Sequence, residues 1–440
     1  MKSMLVGAYL LVCILAGGSS QVMWTNLLLQ VLGVFLIAWA ALSRRGATVE
    51  NRADLPLKML IGAGLVIVLL QLIPLPSSVW SSLPGRESIA SGYATLRQPL
   101  PALPVSETPF VSVSVLFAII PAVAMVVAVE NLRPSPRVLA AAIVLGLAMG
   151  IALGSIQAAD GPFSSAYLYK ITNPGAVGFF ANRNHMATLL LIGIPMATAL
   201  AASGKTGGSH GMAVAFLVVI GVGVVLNSSI VAYALIIPVA LASAASLPTA
   251  VNLRKFALPA AMLAIVAAVA FLISKPVAGS LDSNVMRAMD GRTEIWTRTM
   301  EAIAANFPVG TGLGSFAQIY RQYEDPVEVG RFYVNHAHND YLEIILEMGG
   351  GGALLLLLFL AWWGILACRV WTSRLSTPFA RAATIASAVV IVHSLVDFPL
   401  RTAAISAIFA TCIALMAQHS RHTTLPVESG LRSTRHVKLG

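Results

Sequence analysis

Within ten residues, Val334-Asn335-His336-Ala337-His338-Asn339-Asp340-Tyr341-Leu342-Glu343, the chain gathers two imidazoles, two carboxylates and two carboxamides at the lip of a long apolar segment. Only 10% of its residues are charged. An ionisable side chain costs roughly 2.5 to 3.5 kcal/mol at the centre of an inserted helix, so such a cluster marks a reaction or transport site. Imidazole gains and loses a proton near neutral pH, which makes His338 the candidate general base and His336 its neighbour in support. Asp340 followed three residues later by Glu343 reads as an N-cap with a reciprocal partner, so a helix is expected from about Tyr341. His338 and Asn339 then stand ahead of a helix N-terminus, where partial positive charge favours a phosphate or a developing anion. The alternation of His336, His338 and Asp340 also suits metal ligands on a strand. No third histidine follows nearby and the carboxylates have capping to do, so no metal and no cofactor is expected.

Elements that would hold such a cluster follow from composition. Of 440 residues 57% are hydrophobic, and apolar runs of near-spanning length recur from end to end, which predicts an all-α polytopic membrane protein. Twelve spans are expected near 4–19, 22–42, 57–76, 109–129, 137–157, 184–202, 211–227, 229–248, 257–273, 350–368, 380–397 and 401–417. Lys2, the run from Met4 to Ala16 and the small residues Gly17 to Ser20 would also fit a cleaved signal peptide. A first span is preferred, because an even number of spans then satisfies the charge rule. With both termini cytoplasmic, the short inside loops and the tail collect 17 of the 28 positive residues. The net charge of +10 is scattered over these loops, which is a topology signal and not a nucleic-acid stripe. Cys13, Cys368 and Cys412 lie in apolar runs without metal spacing and read as packing residues. One integral domain, 1–418, and a basic cytoplasmic tail, 419–440, are expected.

Two outside segments break the pattern. The first, from Pro76 to Pro109, carries Trp80, Arg86 and Arg97; the second, 274–348, is too long for a passive connector. It holds Lys275, Arg287, Arg292, Arg298, Arg321 and Arg331 on the face where topology disfavours them, so either an anionic ligand or pairing with the loop's own carboxylates accounts for them. Ile295, Thr299, Ala302 and Ile303 give one side of an amphipathic helix that should stop at Asn306-Phe307-Pro308. Gly310-Thr311-Gly312-Leu313-Gly314 is either a phosphate cradle or a tight turn with close backbone packing. His185 and His393 either line a lipid-carrier groove or hydrogen-bond a neighbouring span.

His338-Asn339, nine residues, then Gly349 and Gly352 resembles the H-N-x9-G-x-x-G signature of the O-antigen ligase and polymerase superfamily. Phe180-Ala181-Asn182-Arg183-Asn184-His185, Asp290-Gly291-Arg292, Gly312-Leu313-Gly314 and His393-Ser394-Leu395-Val396-Asp397-Phe398-Pro399-Leu400-Arg401 reinforce it, so the motifs reach from Trp80 to Arg401. The resemblance implies a GT-C-like, metal-independent membrane glycosyltransferase of the bacterial inner membrane. Its reaction would move a glycan from undecaprenyl diphosphate to an acceptor hydroxyl at the periplasmic face. His338 would activate the acceptor, Arg292 would hold the donor diphosphate with Arg287 and Arg183 as helpers, and Asn339, Asp340, Glu343 and His336 would support. One departure stands out: in Leu226-Asn227-Ser228-Ser229-Ile230 the chain has Ile230 where family members carry an arginine, so a second phosphate contact is missing unless Arg183 or Lys170 substitutes.

Donor and membrane lipid are the implied partners, with lipid A core or a growing polysaccharide as acceptor and no nucleic acid. Ligase, polymerase of O-antigen or exopolysaccharide repeats, and protein O-oligosaccharyltransferase differ only in acceptor, which no motif encodes. A transporter of lipid-linked glycan fits less well, because the polar cluster belongs to a loop and not to the membrane midplane.

Overall fold

A computed structural model describes residues 1–20, 24–43, 55–171, 174–204, 207–247, 283–327 and 333–424, except for the side chains of 207–214, 283–290 and 420–424. Among these residues the protein is helical apart from one pair of two-residue strands. Apolar helices stand at eleven of the twelve predicted spans: α1 (Lys2–Ala16), α2 (Trp24–Leu42), α3 (Leu55–Gln71), the pair α6 (Pro109–Ala118) and α7 (Ile120–Leu132), α8 (Pro136–Asp160), α9 (Arg183–Ala202), α10 (Gly207–Asn227), α11 (Ile230–Ala245), α14 (Asp340–Thr372), α15 (Pro378–His393) and α16 (Ala403–Thr424). The expected span 257–273 lies outside the described residues. Five helical stretches, at 24–42, 109–132, 136–160, 183–202 and 340–372, are long and apolar enough to cross a membrane.

The ends follow local chemistry. Asn182 caps α9 by accepting from the Asn184 amide, and Thr377 caps α15 by accepting from Ala380. Proline opens α6, α8 and α15, where its missing N–H costs nothing. Side chains such as Phe35, Ile237 and Leu357 point outward, as lipid-facing groups do, while Leu10, Ile14, Leu139, Leu147, Met186 and Leu189 are fully buried between helices. Small residues allow the close approach: a Cβ at Gly146 would press on Ile14, and one at Gly193 would overlap Leu147.

The chain departs from the expected span limits at the site. The predicted 380–397 span ends at His393, and Asp397 falls in a turn at 394–402 that includes a short 3-10 segment, Pro399–Arg401. Phe398 precedes a proline and takes φ −126°, ψ 53°, which a helix cannot continue. The helix expected from Tyr341 begins at Asp340 and bends sharply at Gly349 (φ 59°, ψ −144°). There a Cβ would overlap the Pro308 carbonyl oxygen, so glycine is required on both steric and conformational grounds.

The loop helix α12 (Ser283–Asn306) stops at Asn306 as expected, and its Ala302, with Ile295 and Ile303 alongside, packs on Phe316, Ile319 and Tyr320 of and beside the short helix α13 (Phe316–Tyr320) and on Ala337. The glycine-rich turn proves to be the tight-packing alternative. Gly310, Gly312 and Gly314 all have positive φ, and the Thr311 and Gly312 amides donate to the Leu346 and Glu347 carbonyls, so they are occupied by α14. The first outside segment docks beside it, with the Glu107 amide donating to the Thr311 carbonyl and Ser112 Oγ to the Leu313 carbonyl. Within that segment, which includes α4 (Ser77–Trp80) and α5 (Glu87–Thr95), strand β1 (Pro74–Leu75) pairs with β2 (Leu103–Pro104). Trp80 is buried with its indole N–H on the Pro101 carbonyl. Arg86 and Glu107 form a buried pair at 3.5 Å; burial pulls the Arg86 guanidinium down from its ordinary value and pushes the Glu107 carboxyl up, each opposed by the other.

Candidate active site

Asp397 is the hub. Its carboxylate is fully buried, and five groups from four parts of the chain converge on it. His338 Nδ1 donates to Oδ1 at 3.3 Å, and the Phe398 amide donates to the same oxygen at 2.9 Å. Arg292 Nη2 of α12 lies 3.6 Å from Oδ2, which also accepts from Asn184 Nδ2 of α9. His185 Nε2 sits 3.9 Å from Oδ1. Burial opposes the charge, yet the hydrogen bond and charge of His338 and the Arg292 guanidinium hold the Asp397 carboxyl well below the usual carboxylate range. An ionised carboxylate only accepts, so the His338 proton sits on Nδ1 and Nε2 is left as the basic nitrogen.

His338 is held at φ 48°, a left-handed conformation uncommon for residues other than glycine. The bend is enforced from both sides. The Trp296 indole N–H donates to the Ala337 carbonyl at 3.0 Å, and the Ala337 amide donates to Glu343 Oε2 at 3.0 Å. The His338 side chain keeps 29% of its surface exposed, so the imidazole is not sealed off by the fold.

A second cluster lies beside the first. Arg401 bridges Asp340 at 3.6 Å, Glu343 at 3.3 Å and Glu347 at 3.0 Å, with all three carboxylates buried. Glu343 also accepts from His336 Nδ1 at 2.9 Å. These contacts correct the expected cap. Asn339 caps α14, its Oδ1 accepting from the Tyr341 and Leu342 amides, while Asp340 is the first helical residue and accepts from Ser394 Oγ at 2.7 Å. The carboxylates of Asp340 and Glu343 are drawn off by Arg401, which offers charge-assisted bonds that a backbone amide cannot match. Phe398 sits among the imidazoles, its ring centre 4.0 Å from that of His336 and 5.0 Å from those of His338 and His185.

Of the predicted site residues, the structure brings together His338, Arg292, His336, Asn339, Asp340 and Glu343. Arg183 opens α9 one residue before Asn184, and its carbonyl accepts from Asn227 Nδ2 at 2.9 Å. No carboxylate pairs with its guanidinium among the described residues. Arg287 is on α12, but its side chain lies outside the described residues. Ser229 Oγ donates to Asn184 Oδ1 at 2.9 Å, so the turn carrying Ile230 does reach this site. His393 hydrogen-bonds Thr188 on the neighbouring α9 at 2.6 Å, whereas His185 packs edge-on against Phe180 and Phe398. Asp397, Arg401, Asn184 and Trp296 were not among the predicted site residues; Asp397, Arg401 and Asn184 stand in the motifs that carried the resemblance, without a role assigned to them. Among the described residues no group of three or more His, Cys, Asp or Glu side chains is placed to hold a metal ion.

The arrangement defines a helical membrane protein with a partly exposed imidazole, a buried carboxylate behind it and an arginine on that carboxylate's other oxygen. Residues 191–357 match the model of the O-antigen ligase family, which supports the family read from the His338 segment and, with it, glycosyl transfer of the ligase or polymerase type. The match contains His338 and Arg292 and ends before Asp397 and Arg401. No curated protein matches the chain.

Proposed function

We propose that this protein transfers a glycan from undecaprenyl diphosphate to an acceptor hydroxyl, as an O-antigen ligase does, without a metal ion. In this reading residues 1–418 form one domain of the bacterial inner membrane, the loop 274–348 and the site face the periplasm, and 419–440 is a cytoplasmic tail. The observation that carries it is the sharing of one buried carboxylate by His338 and Arg292, 3.3 and 3.6 Å from its two oxygens. His338 Nε2 takes the proton of the acceptor hydroxyl. Its oxygen forms the new bond at the anomeric carbon as the carbon–oxygen bond to the diphosphate breaks, and the electron pair leaves on the diphosphate. Arg292 and Arg183 meet that charge; arginine's fork suits phosphate oxygens, and Arg183 has no described carboxylate to compete. Asp397 holds the tautomer of His338 and stabilises the imidazolium formed, as carboxylates do behind catalytic histidines.

Lipid A core is the acceptor in the ligase reading, and a growing polysaccharide in the polymerase reading. Deletion of the chain separates them: loss of the lipopolysaccharide ladder with accumulation of lipid-linked polymer supports the ligase, and accumulation of single repeats overturns it. Restoring His338→Ala to the deletion strain tests the chemistry. Transfer should fall by about 10² to 10⁴-fold at matched protein level, the usual worth of a general base. An unchanged glycan would remove the mechanism.

A further inference from the structure

We infer that His336 and Ser20 form a second subsite, which binds a hydroxyl of the acceptor sugar next to the one activated by His338. The inference rests on the glycosyl-transfer reading above and adds to it where the acceptor is recognised. His336 is built like a binding group. Its Nδ1 faces the buried Glu343 at 2.9 Å, and Glu343 is itself fixed by the Ala337 amide and Arg401, so the proton lies on Nδ1 and Nε2 is an acceptor of set direction. The ring is held in place against Phe398, with centres 4.0 Å apart. The group facing Nε2 is Ser20 Oγ at 3.4 Å, a long contact between two partly exposed polar groups that a sugar hydroxyl can shorten by bridging them.

Ser20 is positioned as firmly. It ends the turn after α1, where the Gly17 carbonyl accepts from the Ala404 amide at 3.0 Å and the Gly18 carbonyl accepts from the Ala181 amide at 3.1 Å. A Cβ at Gly18 would overlap the Phe179 carbonyl oxygen, and one at Gly17 would press on Ala403. The turn is therefore clamped between the approach to α9 and the start of α16, the two elements that flank Asp397.

Electrostatics assigns the subsite to the acceptor and not to the donor. On the His338 side a single carboxylate, Asp397, faces Arg292, and Arg183, next in the chain to Asn184, pairs with no carboxylate among the described residues, so cationic character is left for a diphosphate. On the His336 side the single guanidinium of Arg401 is taken up by three buried carboxyl groups, so no cation is left over to hold a phosphate. A neutral hydroxyl is the ligand that fits.

The test uses purified full-length protein in lipid vesicles, with lipid-linked glycan and lipopolysaccharide extracted from a strain deleted for this chain. Ser20→Ala and His336→Asn, the latter keeping an N–H toward Glu343, should each raise the acceptor concentration for half-maximal transfer by about 3- to 10-fold, the worth of one hydrogen bond. The donor concentration for half-maximal transfer should stay within 2-fold of wild type. An unchanged acceptor dependence, or an equal rise for donor and acceptor, overturns the subsite. Failure of the underlying reading looks different: donor consumption by the unsubstituted protein and by His338→Ala would then be the same.

Discussion

Replacing Asp397 by asparagine tests the hub of the site directly. The change keeps the volume and removes the charge. If the new amide nitrogen takes the place of Oδ1, it meets the Phe398 N–H and the His338 Nδ1 proton, which now sit 2.9 and 3.3 Å from another donor. If it takes the place of Oδ2, it meets Asn184 Nδ2 and Arg292 Nη2. Neither orientation satisfies the site, so at least one charge-assisted bond worth about 1.5 to 3 kcal/mol is lost. At 1.4 kcal/mol for each factor of ten, the expected drop in transfer by Asp397→Asn is about 10- to 10²-fold from geometry alone. Loss of the tautomer lock moves it towards the 10⁴-fold cost of the analogous change in serine proteases. The pH dependence has a defined sign. A carboxyl held below its ordinary value stabilises the fold above the unfolded value near 3.9 and loses that contribution only as pH falls through the lower folded value. Asp397 is therefore ionised throughout pH 5 to 9, so its own titration does not shape the pH dependence of transfer over that range. The assay is glycan transfer in vesicles at matched protein level. A variant within 3-fold of wild type refutes the role given to Asp397.

Three further outcomes are expected. Arg401→Met leaves three buried carboxylates without their cation, so folded protein should be lost by about 3 to 5 kcal/mol, measured as thermal aggregation in detergent, and wild-type melting would contradict the cluster. Arg292→Lys keeps the charge but loses the fork, and should raise the donor concentration for half-maximal transfer while leaving that of the acceptor unchanged; an unaltered donor dependence would remove Arg292 from the diphosphate. Transfer should survive EDTA, and its abolition by chelation with restoration by a divalent ion would replace the His338 base mechanism with a metal one.

The sequence by itself determined what depends on local pattern. Apolar runs gave the helices, because a 20-residue stretch without charges has few other ways to satisfy its backbone in lipid. The stop of α12 at Asn306 was legible in Asn-Phe-Pro, and the polar cluster around His336 and His338 was legible because polar groups are scarce in this chain. Tertiary structure decided which charges meet. Asp340 and Glu343 have capping spacing, and only the arrival of Arg401 from 58 residues further on turns them into its partners while Asn339 takes the cap. Asp397 looked like the end of a span, and becomes the hub because Phe398 and Pro399 break the helix and α9 and α12 bring Asn184 and Arg292 to it. The physical reason is one of range. Helix propensity and capping act within about four residues, whereas the energy of a buried charge depends on whichever opposite charge the packing brings within a few ångströms.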